Sequence, residues 1–190
     1  MTKPIVRCAW ANSELSIPYH DEEWGVPSHD DRHLFEMLVL EGAQAGLSWE
    51  TILRKREAYR RRYKNFKPEI VAAFGSRQIE AMMADAGLVR NRRKIESSIE
   101  NARAFLEIAR RYGSFSQWLW AYVDGKPIVR HRPRGEALPA STELSARIGK
   151  DLYARGFRFV GPTIVYSYLQ AVGIIDDHSA DCFRAGASVT

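Results

Sequence analysis

The stretch "DRHLFEMLVLEGAQAGLSW" (Asp31 to Trp49) decides how the rest of the chain is read. Leu34, Met37, Leu38, Glu41 and Ala45 recur at the i, i+3, i+4, i+7 and i+11 positions of one helical stripe, which predicts an α-helix over about 31–46. Glu41 sits on that stripe, where the core should be. An unpaired buried carboxylate costs several kcal/mol or takes up a proton. So Glu41 either has a partner inside the fold or faces a pocket that receives one.

The same period runs through the neighbouring sequence. It predicts further helices over about 48–63, 68–74, 77–85, 92–112, 115–123, 142–155 and 162–173. Pro68 suits a first helical turn, Ser76 can cap the helix after it, and Gly87 and Gly156 stand where a left-handed residue ends a helix. The segment "DGKPIVRHRPRGEALPAS" (Asp124 to Ser141) carries three of the eight prolines and reads as a long irregular connection. No run alternates convincingly with period two, so the expectation is an all-α fold in a single domain over residues 1–190, with disorder in the first few residues and in a tail from about 185.

The composition agrees with a globular protein of 190 residues, 45% hydrophobic and 11% aromatic. No apolar run approaches the length of a membrane span, and no secretory h-region opens the chain, so a cytoplasmic protein without a membrane partner is expected. Lys and Arg exceed Asp and Glu, 28 to 23. The excess gathers in "RKREAYRRRYK" (Arg54 to Lys64) and "VRNRRK" (Val89 to Lys94), either a polyanion-binding surface or two solvated helix faces.

The only two cysteines lie at opposite ends, each near a histidine: Cys8 twelve positions before His20, and His178 four before Cys182. The pair in "HSADC" would share one face of a helical turn, as two ligands of one metal do. Together the four residues form a possible Cys₂His₂ zinc site pinning the two ends. Two unrelated buried thiols, or a Cys8–Cys182 disulfide, are the alternatives; a reducing compartment disfavours the disulfide.

Late in the chain, "RGFRFVGPTIVYSYLQAVG" (Arg155 to Gly173) predicts a helix, a short turn and a second helix. The amides opening the second helix would face an anion with the helix dipole behind them. Val160, Gly161 and Thr163 are therefore candidate contacts to DNA phosphates. An ordinary tight turn between helices is the competing reading.

Taken together, "RCAW" (Arg7 to Trp10), "YHDEEWGVP" (Tyr19 to Pro27), "LFEMLVLEGAQAGLSW" (Leu34 to Trp49), "DAGLVRNRRKI" (Asp85 to Ile95), "GFRFVGPTIVYSYLQA" (Gly156 to Ala171) and "DDHSADC" (Asp176 to Cys182) resemble the 3-methyladenine DNA glycosylase I family, within the helix–hairpin–helix DNA glycosylase superfamily. The resemblance implies a two-lobed helical fold whose termini are joined by one structural Zn²⁺ on Cys8, His20, His178 and Cys182. It implies a base pocket at Tyr19, Glu41 and Trp49, with Trp10 and Trp24 close by, and makes Glu41 the candidate catalytic residue. The implied activity is excision of N3-methyladenine from double-stranded DNA by a monomer, with free 3-methyladenine and an abasic strand as products. A glycosylase for another alkylated purine, or a zinc-stapled DNA-binding module without activity, are the alternatives.

Two departures from the wider superfamily carry weight. Phe159 stands where a hairpin glycine is usual, and Asp176 and Asp177 come too early for the superfamily's catalytic aspartate, which suits them to orienting a zinc histidine or capping a helix. Thr163 replaces the lysine that bifunctional relatives use, so a hydrolase without strand cleavage is expected. Gly46 and Leu47, after the Glu41 helix, could form a wedge that fills the gap left by a flipped nucleotide, or simply a helix end and a core leucine.

Overall fold

The computed structural model describes residues 5–130 and 132–186; the expected disorder at residues 1–4 and 187–190 lies outside them. Among the described residues the helices are α1 (Ser16–Glu22), α2 (Asp31–Gln44), α3 (Trp49–Arg62), α4 (Pro68–Ala72), α5 (Ser76–Met83), α6 (Arg92–Tyr112), α7 (Phe115–Trp120), α8 (Glu143–Ala154) and α9 (Pro162–Ala171). A 3₁₀ turn, Ala121–Val123, extends α7.

Short polar side chains start most of these helices by accepting from an otherwise orphaned amide. Asp30 accepts from the Arg32 amide, Ser48 from Thr51, Asn91 from Lys94, Ser114 from Gln117 and Thr142 from Ser145. Pro68 opens α4 as expected. Gly156 adopts φ +95 after α8, as a left-handed helix end requires. Two end assignments differ. The N-cap of α5 is Gly75, whose amide donates to the Gln78 side chain, and Ser76 is already helical. Gly87 is not left-handed; a Cβ there would lie 2.6 Å from that of Ala58, so close packing on α3 requires glycine.

Helix α2 is the axis of the fold. All ten residues from Leu34 to Ala43 are buried, because α3, α6, α7 and α9 pack around it. Truncating a fully buried leucine such as Leu38 or Leu40 to alanine would cost about 2–5 kcal/mol. Helices α8 and α9 pack against each other across the short turn at 155–161. It closes on Gly149, where a Cβ would come within 2.7 Å of the Val160 carbonyl oxygen.

The all-helical expectation misses one feature. Two short parallel strands, β1 (Ile128–Val129) and β2 (Ile175–Asp176), pair Ile128 with Ile175 and Val129 with Asp176. The connection over 124–141 is therefore not wholly irregular, and it ties the chain just before the C-terminal Cys/His pair. That pair does not lie on a helical turn: strand β2 runs into a bridge of Ser179 with Arg132 and then into turns.

The basic block of α3 is largely committed to the fold. Arg56, buried, donates to Glu36 (2.7 Å) and to both oxygens of Glu23 (2.8 and 2.7 Å), joining the segment after α1 to α2 and α3. Arg60 also reaches Glu36, and Arg62 pairs with Asp85. Removing Arg56 would leave Glu23 without its cation and Glu36 with Arg60 alone, and because Glu23 is about a third exposed the loss stays below the roughly 3–5 kcal/mol of a fully buried pair.

Candidate functional site

At the end of α2, a cavity of about 230 Å³ is lined by Trp10, Tyr19, Trp24, Glu41, Gln44, Trp49, Leu138, Ser167 and Gln170. The five pocket residues expected from the sequence meet here. Tyr19 comes from α1, Trp24 from the turn after it, Glu41 from α2, Trp49 from the start of α3, and Trp10 from the N-terminal arm. Their rings are in mutual contact: Tyr19 and Trp49 have centroids 5.2 Å apart, Trp10 and Trp24 5.0 Å, Trp10 and Tyr19 6.2 Å.

Among the described residues Glu41 has no salt bridge. It is 4% exposed, its Oε2 has no hydrogen-bond partner, and burial pushes its carboxyl up to about 8. The nearby cation Arg56 is engaged by Glu23 and Glu36. The indole Nε1 of Trp49 is likewise buried without an acceptor. Burial and the neighbouring Glu41 carboxylate hold the Tyr19 hydroxyl well above its ordinary pKa. The cavity therefore has aromatic walls with an unmatched acceptor and an unmatched donor, the arrangement of a pocket built for a flat polar ligand.

Sequence reasoning missed Gln44, Leu138, Ser167 and Gln170. Gln44 lies one turn beyond Glu41 on α2, and Ser167 and Gln170 share a face of α9 at i, i+3 spacing. Those periodicities could have found them. Gln170 is also fixed from behind, donating to Asp177 Oδ2 at 2.9 Å, to which the Tyr166 hydroxyl donates at 2.5 Å. Asp177 thus anchors α9, neither orienting a histidine nor capping a helix.

Beyond Gln44 the chain turns sharply at Gly46 (φ +79) and leaves Leu47 41% exposed, so Leu47 is not a core leucine. The turn is fastened by Lys94, whose Nζ donates to the carbonyls of Ala43 (2.9 Å) and Ala45 (2.6 Å). This lysine of the second basic block thus satisfies the C-terminal end of α2.

The hairpin presents Gly161, Pro162 and Thr163 to solvent at the start of α9. Gly161 has φ −62 and open space around a would-be Cβ, so nothing inside the protein demands glycine. Val160 is 4% exposed and its carbonyl faces Gly149, so its side chain is not available to an outside partner. Phe159 adopts φ +54, the left-handed conformation that a glycine would take more easily. Asn101 clamps this turn, donating to the Arg158 carbonyl (3.0 Å) and accepting from the Arg158 amide (2.8 Å).

Behind the aromatic wall, the ligand atoms of Cys8, His20 and Cys182 lie within 4.8 Å of one another, all buried, and both cysteines are free thiols. His178 stands next to them, its ring centroid 5.0 Å from that of His20. Each histidine has its Nδ1 on a carboxylate, His20 on Asp21 (2.8 Å) and His178 on Asp176 (2.7 Å). Arg7 in turn donates to Asp21. The Nε2 of His178 is buried with no partner, and burial lowers the pKa of His20 against the pull of Asp21. Burial raises the Cys182 thiol to about 11. Backbone amides of Ser179 and Arg184 approach the two sulfurs. Two imidazoles, each oriented by a carboxylate, and two thiols make a donor set of the kind that fits a tetrahedral cation such as zinc. Trp24 lies 4.6 Å from His178 and Trp10 5.3 Å from His20, so this cluster backs the pocket directly.

Among known proteins, the chain is 45% identical over 177 residues to DNA-3-methyladenine glycosylase 1 of Escherichia coli strain K12, covering 93% of this chain and 95% of the relative. It is 43% identical to the DNA-3-methyladenine glycosylase of Haemophilus influenzae, over 93% and 96%. A crystal structure of a 3-methyladenine DNA glycosylase I variant in complex with 3-methyladenine superposes with a TM-score of 0.91 at 38% identity, covering 94% of this chain and 97% of that one. The methyladenine glycosylase family model matches residues 10–185, and the chain belongs to that family.

Proposed function

We propose that this protein is a DNA-3-methyladenine glycosylase that flips the damaged nucleotide out of the duplex and hydrolyses its glycosidic bond. The observation that carries the reading is Glu41, a desolvated carboxyl group whose Oε2 has no partner among the described residues, in a cavity of about 230 Å³ walled by aromatic rings. Methylation at N3 puts a positive charge on adenine, so the base departs neutral and needs no acid. Water adds at the sugar carbon, 3-methyladenine leaves with the bonding electrons, and one proton is released, leaving an abasic site. The protein's task is chiefly recognition. A poorly stacked base is cheap to extrude. Tyr19 and Trp49 offer π faces to the cation, worth roughly 0.5–2 kcal/mol. Glu41 accepts from the exocyclic amine of adenine, where guanine would present an acceptor, and its charge favours the cationic base and the electron-poor sugar. Thr163 where bifunctional relatives carry a lysine supports hydrolysis without strand cleavage, and Lys94, held on two carbonyls, serves the fold.

DNA contacts in this reading are the main chain of Val160 and Gly161 and the start of α9 at Thr163, with Leu47 on the Gly46 turn as the wedge. Cys8, His20, His178 and Cys182 hold one structural Zn²⁺. When bound, the ion supplies a crosslink between the two arms of the chain and no reactive position. The deciding experiment is chromatography of the bases released from methylated DNA by wild type and by Glu41→Gln. Release of 3-methyladenine by the wild type, strongly reduced in the variant, is expected. Absence of any released base would reduce the protein to a DNA-binding module, and release of 7-alkylguanine alone would overturn the assignment of the lesion.

A further inference from the structure

A second cavity, of about 820 Å³, opens between the C-terminal end of α3 and helices α4 and α5. The candidate base pocket abuts the other end of α3, and 14 helical residues span about 21 Å, so the two sites are separate. Phe74 and Met82 form an apolar floor, and the exposed Ile70, Ala73 and Ala81 continue it to the surface. The rim is cationic: Arg61, Arg62, Lys64 and Arg77 face one carboxylate, Asp85. Asp85 is already taken by Arg62 at 2.6 Å and by the Gly87 amide at 2.8 Å. Among the described residues, Arg61, Lys64 and Arg77 have no carboxylate partner, unlike Arg56 and Arg60 on the same stretch. Lys64 is held at the rim by a left-handed turn, Lys64 to Phe66 with φ of 53, 54 and 53, anchored by the fully buried Phe66 ring.

We propose that this groove docks an acidic segment of a partner protein that inserts an apolar side chain between α4 and α5. The three unmatched cations supply charge complementarity to carboxylates flanking the anchor. The apolar floor discriminates against duplex DNA, whose phosphodiester face has nothing to place against Phe74 and Met82. Helix α5, which forms one wall, has eight residues, roughly 12 Å, the span of about four extended residues. An apolar anchor with one acidic residue on each side fits within that length.

The test is fluorescence anisotropy with a labelled peptide, one acidic residue on either side of a Leu-Phe pair, titrated with the 190-residue protein. A control peptide carries Ser-Ser in place of Leu-Phe. Saturable binding is expected, weakened about tenfold by Arg77→Glu, equivalent to about 1.4 kcal/mol, and to a similar degree by the Ser-Ser exchange. Ala73→Trp, which fills the groove, should abolish it. Excision from methylated DNA and affinity for undamaged duplex should stay within about twofold of wild type in both variants. Equal binding of the two peptides, full binding by Ala73→Trp, or no binding at millimolar protein would overturn the proposal. So would a loss of duplex affinity in Arg77→Glu matching the loss for peptide, which would assign the cations to DNA.

Discussion

Glu41→Gln should change the pH dependence of stability in a way that no other substitution in the pocket does. Burial raises the Glu41 carboxyl from 4.5 to about 8. The folded protein therefore keeps a proton that the unfolded chain has already lost between those two values. Stability then falls as pH rises from about 4.5 to 8 and is flat above, with a slope near 1.4 kcal/mol per pH unit and a total of order 5 kcal/mol at most. The glutamine variant lacks this titration. Its amide introduces unsatisfied donors of its own, but that cost does not vary with pH, so the diagnostic is the slope and not the offset. Urea unfolding of both proteins from pH 4 to 9 measures the difference, and every other titrating group cancels. Glu41→Gln should gain on wild type steadily through the window, and a cationic base in the pocket should erase the gain by favouring the ionised form. A difference constant across pH would refute the reasoning, because Glu41 would then be hydrated or paired.

Three further outcomes follow from the geometry. Protein purified without added metal should contain about one zinc per chain by elemental analysis, and Cys182→Ser should lower the unfolding midpoint without changing which base is released. Gly161→Val should leave stability within about 0.5 kcal/mol, because a Cβ meets nothing within 4 Å, yet weaken binding to any duplex. Binding isotherms at several salt concentrations should show its log–log salt slope reduced by roughly 0.9 for each phosphate the variant no longer neutralises. Lys94→Met should leave two carbonyls of α2 unsatisfied, costing about 1–3 kcal/mol in unfolding experiments, and should slow excision from duplex more than it weakens binding of free 3-methyladenine.

The helices were legible wherever a capping side chain met a hydrophobic period of 3.6, as at Asp30, Asn91 and Thr142. Helix α1, with seven residues and three buried side chains, Ser16, Tyr19 and His20, was too short to show a period. Strands β1 and β2 have two residues each, and a period of two cannot be seen in two residues. Glu41 announced itself because a charge broke an apolar stripe, and the aromatic residues around it came with the family resemblance. Gln44 and Gln170 did not stand out, because a glutamine on a helix is ordinarily solvated and only the fold shows which face it turns inward. The basic blocks misled for the opposite reason. Sequence shows the clustered cations, whereas their carboxylate partners, Glu23, Glu36 and Asp85, lie up to 33 positions away.

The arm that opens the described chain is completed by turns made far later in the sequence. The Val6 carbonyl accepts from the Phe183 amide at 2.9 Å, and the Cys8 sulfur receives the Ser179 amide, so the arm that carries Trp10 is seated by residues translated some 170 positions later. A nascent chain can assemble α2 with α3 and α6 well before it has a back wall for the pocket. Until His178 and Phe183 have cleared the ribosome, Trp24 lacks the imidazole behind it, and the cage around Glu41 stays open on one side. Vectorial synthesis thus withholds the back wall of the cavity until residues 178–183 have been made, and a product terminated before them would lack that wall.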